Sequence, residues 1–140
     1  MTIAKHEFYE GAALHQLVTN SKVESIRYEA QVFTINNSVQ IYLKYCTKNR
    51  TPWGFTFTSS ECTLLETCAT NKRVFLGLVC AADGIAAISH EMFRSIASQG
   101  KDPFSILCHR KFGKHYLVSG PNGSLSRKIA PSQWQRILEL

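Results

Sequence analysis

The sequence lacks the short motifs that mark several common classes of enzyme and membrane protein. No apolar run approaches the roughly 18 residues that a membrane-spanning helix needs. There is no glycine-rich phosphate loop, no GxSxG nucleophile elbow and no HExxH zinc motif. The five histidines also lack the paired spacing with one another or with acids that a metal site requires. These absences favour a non-enzymatic protein with no cofactor, no metal and no membrane partner.

Cysteine pairs are missing as well. The chain has five cysteines, an odd number, and no CxxC motif, whereas disulfide frameworks and zinc sites use paired, closely spaced cysteines. Each cysteine is surrounded by apolar residues, where a thiol acts as a small hydrophobic group. The first ten residues do not follow the basic-then-apolar plan of a signal peptide. We therefore expect a cytoplasmic protein.

What the sequence does contain is typical of one globular domain. It has 140 residues, of which 44% are hydrophobic and 19% charged, so residues 1–140 are expected to form a single domain with its own core. Short alternating segments interleave with helical patterns. The predicted class is α+β, with one mixed or largely antiparallel sheet of short strands and three to four helices packed on it.

Local signals place these elements along the chain. Capping boxes are present at Thr58–Glu61 and at Ser132–Gln135, and Ser89 is a further helix cap that predicts a helix closed by Gly100. Residues 73–82 are apolar on both faces, which is typical of a central strand. A first helix is predicted at 4–19, with Phe8, Ala12, Leu14 and Leu17 on its inner side. Further strands are predicted at 23–35, 39–47, 53–57, 85–88, 104–111, 115–120 and 124–129. Hairpin turns are predicted at Asn36-Asn37, Asp83-Gly84 and Phe112-Gly113.

The first predicted hairpin brings two charged residues together. With a two-residue turn at Asn36-Asn37, Glu29 faces Lys44 across the strands. One interpretation is a solvated face with a weak ion pair worth under about 1 kcal/mol. The other is a carboxylate beside a lysine, a pairing that can hold a metal and stabilise charge on a phosphate. Both interpretations remain open.

The first 88 residues resemble a known superfamily. An early helix with glutamates, a hairpin whose second strand ends in Lys44, a third strand, a helix and an apolar strand are similar to the core of the PD-(D/E)XK, restriction-endonuclease-like proteins. The resemblance implies Glu7 or Glu10 as the helical acid and Lys44 as the strand lysine, so Glu10, Glu29 and Lys44 are the candidate catalytic residues. An active member would be a metal-dependent nuclease. Tyr42 stands where the family has an acid or glutamine.

That family also has an aspartate near the start of the lysine strand, and this chain has Ser38 and Val39 there. Mg²⁺ needs carboxylate ligands. The resemblance therefore implies an inactive relative that binds without cutting.

The third predicted strand carries aromatic residues beside a cationic loop. Trp53, Phe55 and Phe57 share one face, which favours a place in the core because exposing three large rings is costly. Trp53 follows Pro52 at the start of the strand, so we expect it at the rim. Lys48 and Arg50 lie in the loop before it, where a nucleic acid could bind with a base stacked on Trp53.

The most basic region is the hairpin at residues 109–115. The net charge of the chain is +6, and residues 101–140 contribute +5 of it, from seven Lys and Arg against two acids. The predicted register places Arg110 opposite His115 and Lys111 opposite Lys114, and a bound anion would relieve that repulsion. Arg127 and Lys128 are expected on the adjoining strand. An exposed, solubilising hairpin tip is the alternative.

Taken together, the residues favour a non-catalytic module that binds a nucleic acid or another polyanion. The partner would be DNA or RNA. A protein–protein module, such as a homodimer formed through a strand edge, and a small-molecule-binding protein are the rival functions. The candidate nucleic-acid-binding residues are Lys48, Arg50, Trp53, Arg110, Lys111, Lys114, Arg127 and Lys128.

Overall fold

Thirteen secondary-structure elements follow one another in the computed structural model, which describes residues 2–97 and 100–140. The helices are α1 (Lys5–Val18), α2 (Ser59–Ala69), α3 (His90–Ile96) and a 3-10 helix (Pro131–Glu139). The strands are β1 (Ile26–Glu29), β2 (Val32–Ile35), β3 (Val39–Cys46), β4 (Trp53–Phe57), β5 (Arg73–Cys80), β6 (Gly84–Ser89), β7 (Phe104–His109), β8 (Leu117–Gly120) and β9 (Gly123–Ser124). The predicted α+β class is confirmed.

The strands form two sheets rather than the single sheet that was predicted. The first has the order β1-β2-β3-β5-β6, with β3 and β5 parallel and the other pairs antiparallel. The second has the order β4-β7-β8-β9 and is antiparallel throughout. The segment between β3 and β5, which contains β4 and α2, makes the crossover that a parallel pair needs. β4 therefore leaves the first sheet and begins the second.

Strand β5 is an interior strand of the first sheet, between β3 and β6, and is buried on both faces, as predicted. One face, with Phe75 and Val79, packs against α1 and the 3-10 helix. The other face, with Leu76 and Leu78, packs against the second sheet and helices α2 and α3. Gly77 lies under Trp134, and a Cβ atom at this glycine would lie only 2.8 Å from Trp134 Cζ3. A residue without a side chain is therefore required at this point of β5.

The helices begin largely where their caps predict. Thr58 accepts a hydrogen bond from the Glu61 amide, and Ser89 accepts one from the Met92 amide. In contrast, the 3-10 helix follows Ala130 with no side-chain cap, so the predicted capping box at Ser132–Gln135 is wrong. Pro131 at its first position supplies the helical φ angle instead.

Two other helix predictions need correction. In α1 the buried residues are Ala13 and Leu17, whereas Phe8, predicted to point inward, is 60% exposed. Helix α3 was predicted to extend to Ser98 and to close at Gly100. It ends at Ile96 with Ala97 as its C-cap, and Ser98 lies outside the described residues.

The first hairpin register differs from the prediction. Residues 26–35 form two strands, because Ala30 and Gln31 both adopt positive φ and turn the chain between β1 and β2. Strand β2 then pairs with β3 so that Phe33 faces Ile41, one position away from the predicted register. Glu29 consequently pairs across the strands with Val32 and forms an exposed ion pair with Arg27. It does not face Lys44.

The five cysteines are free, and each packs among apolar residues, as the sequence suggests. Cys80 and Cys108 are fully buried. A hydrogen bond between their thiols, together with burial, raises the pKa of Cys80. Across residues 2–97 and 100–140, each helix is too short or too polar to cross a membrane.

Candidate nucleic-acid interface

The basic hairpin ends in a loop at residues 110–116, between β7 and β8. Strand pairing stops at His109 and Leu117, and the observed register is one position away from the predicted one. Arg110 therefore does not face His115, and Lys111 and Lys114 are the ends of a tight turn in which the Lys114 amide donates to the Lys111 carbonyl. The loop is an open cationic tip rather than a continued strand pair.

Arg110 is held in place at the base of this loop by Asp83. Its guanidinium donates to Asp83 Oδ2 at 2.8 Å, and the Tyr116 hydroxyl donates to the same oxygen at 2.6 Å. Arg110 Nε also donates to the Lys114 carbonyl. The hydrogen bond from Arg110 to Asp83 raises the pKa of Arg110, and burial raises that of Tyr116. The cluster fixes the hairpin loop against the β5–β6 turn.

Replacing Asp83 with alanine will lower the free energy of unfolding by about 1–3 kcal/mol, because the hydroxyl of the buried Tyr116 and the Arg110 guanidinium lose their shared acceptor. Urea denaturation followed by circular dichroism measures the change. Tyr116→Phe, which removes one hydrogen bond and keeps the Arg110 ion pair, is expected to cost only about 1 kcal/mol. If Asp83→Ala were no more destabilising than Tyr116→Phe, the cluster would not hold the loop.

A cavity of about 440 Å³, which we call the hairpin groove, lies along this loop. Its cationic lining consists of Arg110, Lys111, Lys114 and Lys128, joined by His109 and His115. A second cavity of about 340 Å³, the helix groove, lies between residues 127–130 and the 3-10 helix. The two cavities share His115 and Lys128. We refer to these two adjoining cavities together as the basic groove.

Four cations of the basic groove have no acidic partner. They are exposed, and no carboxylate within residues 2–97 and 100–140 forms an ion pair with them: Lys111, Lys114, Arg127 and Lys128. Arg136 also lines the helix groove but is paired with Glu139. No aspartate or glutamate lines either cavity. The groove therefore carries an uncompensated positive charge.

The remaining predicted contact residues lie outside this groove. Lys48 and Arg50 are exposed in the loop before β4, and their neighbour Thr51 lines the hairpin groove, where its hydroxyl accepts a hydrogen bond from the Arg110 amide. Trp53 is only 3% exposed, and its indole donates to the Lys48 carbonyl at 2.9 Å. The prediction that Trp53 lies at the rim is wrong, whereas the core placement of Phe55 and Phe57 is confirmed.

Lys44 belongs to a different cluster, on the face of β3 that packs toward α2. Its ammonium donates to Glu61 Oε2 at 2.7 Å, and the Tyr42 hydroxyl donates to the same oxygen at 2.5 Å. Glu61 Oε1 also caps α2 by accepting from the Thr58 amide. The cluster thus ties β3 to the first turn of α2.

The protonation of this cluster follows from its hydrogen bonds. Burial alone would raise the pKa of Glu61, but the bonds from Lys44, Tyr42 and Thr58 outweigh it, so the pKa lies below the ordinary value. Burial and the bond to Glu61 raise the pKa of Tyr42. At neutral pH the cluster is a carboxylate held by an ammonium and a neutral phenol. Lys44 therefore forms its ion pair with Glu61 and not with Glu29.

The helical acid Glu10 is half-buried on α1, and burial raises its pKa. Within residues 2–97 and 100–140, no three side chains of His, Cys, Asp or Glu come close enough together to hold a metal ion. Of the three candidate catalytic residues, Glu10 lies on α1, Glu29 is paired with Arg27 and Lys44 is paired with Glu61.

Sequence reasoning missed several residues that line the groove or hold its lining in place. Asp83 was interpreted only as a turn residue before Gly84, and nothing local indicates that it meets Arg110, which is 27 positions away. Arg136 and Gln133 enter through the 3-10 helix, whose neighbours in space are not visible in the sequence. The usable signal was the excess of Lys and Arg after residue 100. Compared with known proteins, the chain matches no family model, no curated protein and no solved structure.

Proposed function

We propose that this protein binds a nucleic acid through the basic groove and does not cut it. The observation that carries the proposal is the pair of adjoining cavities that share His115 and Lys128. Among the described residues, their lining contains four cations without an acidic partner and no aspartate or glutamate side chain. Lys and Arg side chains that neutralise phosphates release condensed counterions, and this release supplies most of the non-specific affinity for nucleic acids. A cleft of this charge suits a chain of phosphates.

The groove is also organised before any ligand arrives. Arg110 is fixed by Asp83 and Tyr116, and its backbone amide is held by Thr51. A donor that is already oriented loses less conformational entropy on binding than a free lysine does. Arg110 therefore acts as the anchored member of the site, and the exposed lysines add mobile charge around it.

The part of the proposal that the protein does not cut nucleic acid is based on the cluster around Lys44. The PD-(D/E)XK resemblance of the sequence implies Lys44 as the strand lysine, and this residue lies on β3. However, Tyr42 occupies the position of the family's acid, and Glu61 holds Lys44 by an ion pair. A lysine paired in this way stabilises the contact between β3 and α2. We therefore expect no cleavage of nucleic acid in the presence of Mg²⁺.

A homodimer through a strand edge is the rival function. Strand β1 is the outer strand of the first sheet beside β2, and it has only four residues. It carries Arg27 and Glu29, and short charged edge strands are the means by which proteins prevent edge-to-edge pairing. The groove therefore offers the stronger basis for a function.

The proposal is tested by fluorescence anisotropy with labelled single-stranded DNA, double-stranded DNA and RNA at two salt concentrations. Replacing Lys111, Lys114 and Lys128 together with glutamine will weaken binding by about tenfold to a hundredfold. It will also reduce the slope of log affinity against log salt by about 2 to 3, because each lost phosphate contact removes about 0.7 to 0.9.

A matched control removes the same charge elsewhere. Lys5, Lys22 and Lys101 are exposed and outside the basic groove, so their replacement with glutamine should leave the affinity within about threefold of the wild type. Equal losses in the two triple variants would mean that net charge alone drives binding. No binding of the wild type to any of the nucleic acids at low salt would contradict the proposal, and cleavage in parallel Mg²⁺ samples would contradict its non-catalytic part.

A further inference from the structure

A fully exposed aromatic residue, Phe112, lies at the tip of the cationic hairpin loop. It occupies the corner of the turn from Lys111 to Lys114, next to Gly113, whose φ of +72° suits a turn that few other residues form. A Cβ atom added to Gly113 would meet nothing within 4 Å, so the tip is open on that side. The ring of Phe112 is held out in solvent rather than folded back onto the domain.

This exposure needs an explanation, because burying a phenylalanine side chain stabilises a folded protein. Other aromatic residues of the same region are buried, including Tyr116 in the same loop and Trp53 and Phe104 on the adjoining strands. The two residues that flank the Phe112–Gly113 pair, Lys111 and Lys114, both line the hairpin groove. The exposed ring therefore lies between two cations that line the groove, although Phe112 does not line the cavity itself.

The combination of charge and ring indicates one class of ligand. Phosphates suit the lysines, and a planar base suits the ring, since stacking of a base on an aromatic side chain contributes about 1–3 kcal/mol. In a duplex the bases are already stacked on one another, whereas a single strand presents its bases freely. A membrane surface would be expected to engage a broader apolar face than one side chain.

We infer that the basic groove takes single-stranded nucleic acid, with one unpaired base stacked on Phe112 while Lys111, Lys114 and Lys128 contact the adjacent phosphates. This inference rests on the proposed function, and it names the substrate form that the groove prefers. Stacking of this kind tolerates any base, so the groove binds single strands with little sequence preference.

The experiment measures binding to two labelled DNA single strands by fluorescence anisotropy at low salt. Both strands have 12 nucleotides and the same number of phosphates, but one is oligothymidylate and the other is fully abasic. Phe112→Ala is expected to weaken oligothymidylate binding by about five- to a hundredfold. It should leave the abasic affinity and both salt dependences unchanged. Phe8→Ala, which removes another exposed phenylalanine on α1, is the matched control and should change neither affinity.

A second variant reports on stacking directly. Trp53 and Trp134 are both buried, so in Phe112→Trp the introduced indole is the exposed fluorophore. Its emission should be quenched when oligothymidylate binds and should be unaffected when the abasic strand binds. Quenching by both strands, or by neither, would overturn the inference.

The possible failures are distinct from one another. If the wild type binds both strands equally well and Phe112→Ala changes nothing, the stacking inference is wrong and the proposed function stands. If the wild type binds neither strand, nor duplex, the proposed function fails and the inference fails with it. Phe112-dependent sedimentation with vesicles of phosphatidylcholine and phosphatidylserine, without strand binding, would assign the tip to an anionic lipid surface and overturn the inference.

Discussion

Replacing Trp134 with alanine will lower the free energy of unfolding by about 3–5 kcal/mol. This indole is fully buried between the first sheet and α1, where its ring covers Gly77 of β5 and its Nε1 donates to the Ala13 carbonyl at 2.9 Å. Alanine would leave a cavity that Gly77 cannot fill, because it has no side chain. Urea denaturation of the wild type and the variant measures the difference.

Two further variants separate packing from the hydrogen bond and from the mere loss of an aromatic ring. Trp134→Phe keeps part of the volume and loses the indole donor, so its cost should lie clearly below that of the alanine variant. Phe112→Ala removes an exposed ring and should change stability by less than about 0.5 kcal/mol. A cost below about 1 kcal/mol for Trp134→Ala would show that the 3-10 helix is not a structural part of the core.

Replacing Glu61 with alanine is expected to cost about 2–4 kcal/mol, which is less than the cost of breaking a fully buried pair. The side chains of Lys44 and Glu61 are 22% and 17% exposed, so the lysine would keep its charge in a poorly hydrated place with no partner. Tyr42 would lose its acceptor and α2 would lose half of its capping box. The double variant Glu61→Ala with Lys44→Met should recover part of the loss, because it removes the unpaired charge.

The same cluster gives the protein a defined sensitivity to acid. The pKa of Glu61 in the folded state lies below the ordinary value of 4.5, so its stabilising contribution is fully present above that value. It is lost as the pH falls through the folded-state pKa. Hydrogen bonds from Ser59 also lower the pKa of Asp102, so Asp102 adds its own acid sensitivity to both proteins. The contribution of Glu61 is therefore given by the difference in stability between the wild type and a variant without this carboxylate.

We expect the wild type to lose more stability than Glu61→Gln between pH 5 and pH 3. Denaturation midpoints measured at half-unit steps of pH provide the comparison. Parallel curves for the two proteins would mean that the hydrogen bonds to Glu61 contribute no net stability.

Features with a local physical cause could be predicted from the sequence. The capping box at Thr58–Glu61 and the cap at Ser89 depend on hydrogen bonds within four residues. The central position of β5 follows from its apolar composition on both faces. In the candidate site, the concentration of cations after residue 100 was also visible, since charge can be counted without knowing the fold.

The first hairpin shows why registers were missed. Ala30 and Gln31 have φ values of 51° and 71°, and neither residue type favours that conformation, so no turn signal marks the end of β1. Asn36 and Asn37 turn the chain between β2 and β3 with positive φ, as predicted, and the Asn36 side chain also holds the segment before β1. This side chain accepts from the amides of Glu24 and Ser25 and donates to the Lys22 carbonyl.

The groove could not be predicted because it depends on partners that are distant in sequence. Strand β4 pairs with β7, so that Trp53 faces Cys108, and no local pattern tells a strand which sheet it will join. That pairing buries Trp53 and removes the expected stacking residue. It also brings Thr51 to Arg110. Phe112 then remains as the exposed ring beside the cations.

The contact between Trp134 and Ala13 has a consequence for how the chain matures in the cell. The two residues are 121 positions apart, so the apolar face of α1, with Ala13 and Leu17, is not fully covered until the intervening chain has been synthesised. At about 5–20 residues per second, that interval is on the order of ten seconds. During that time the nascent α1 is an amphipathic segment open to chaperones, and the 3-10 helix that carries Trp134 completes this side of the core.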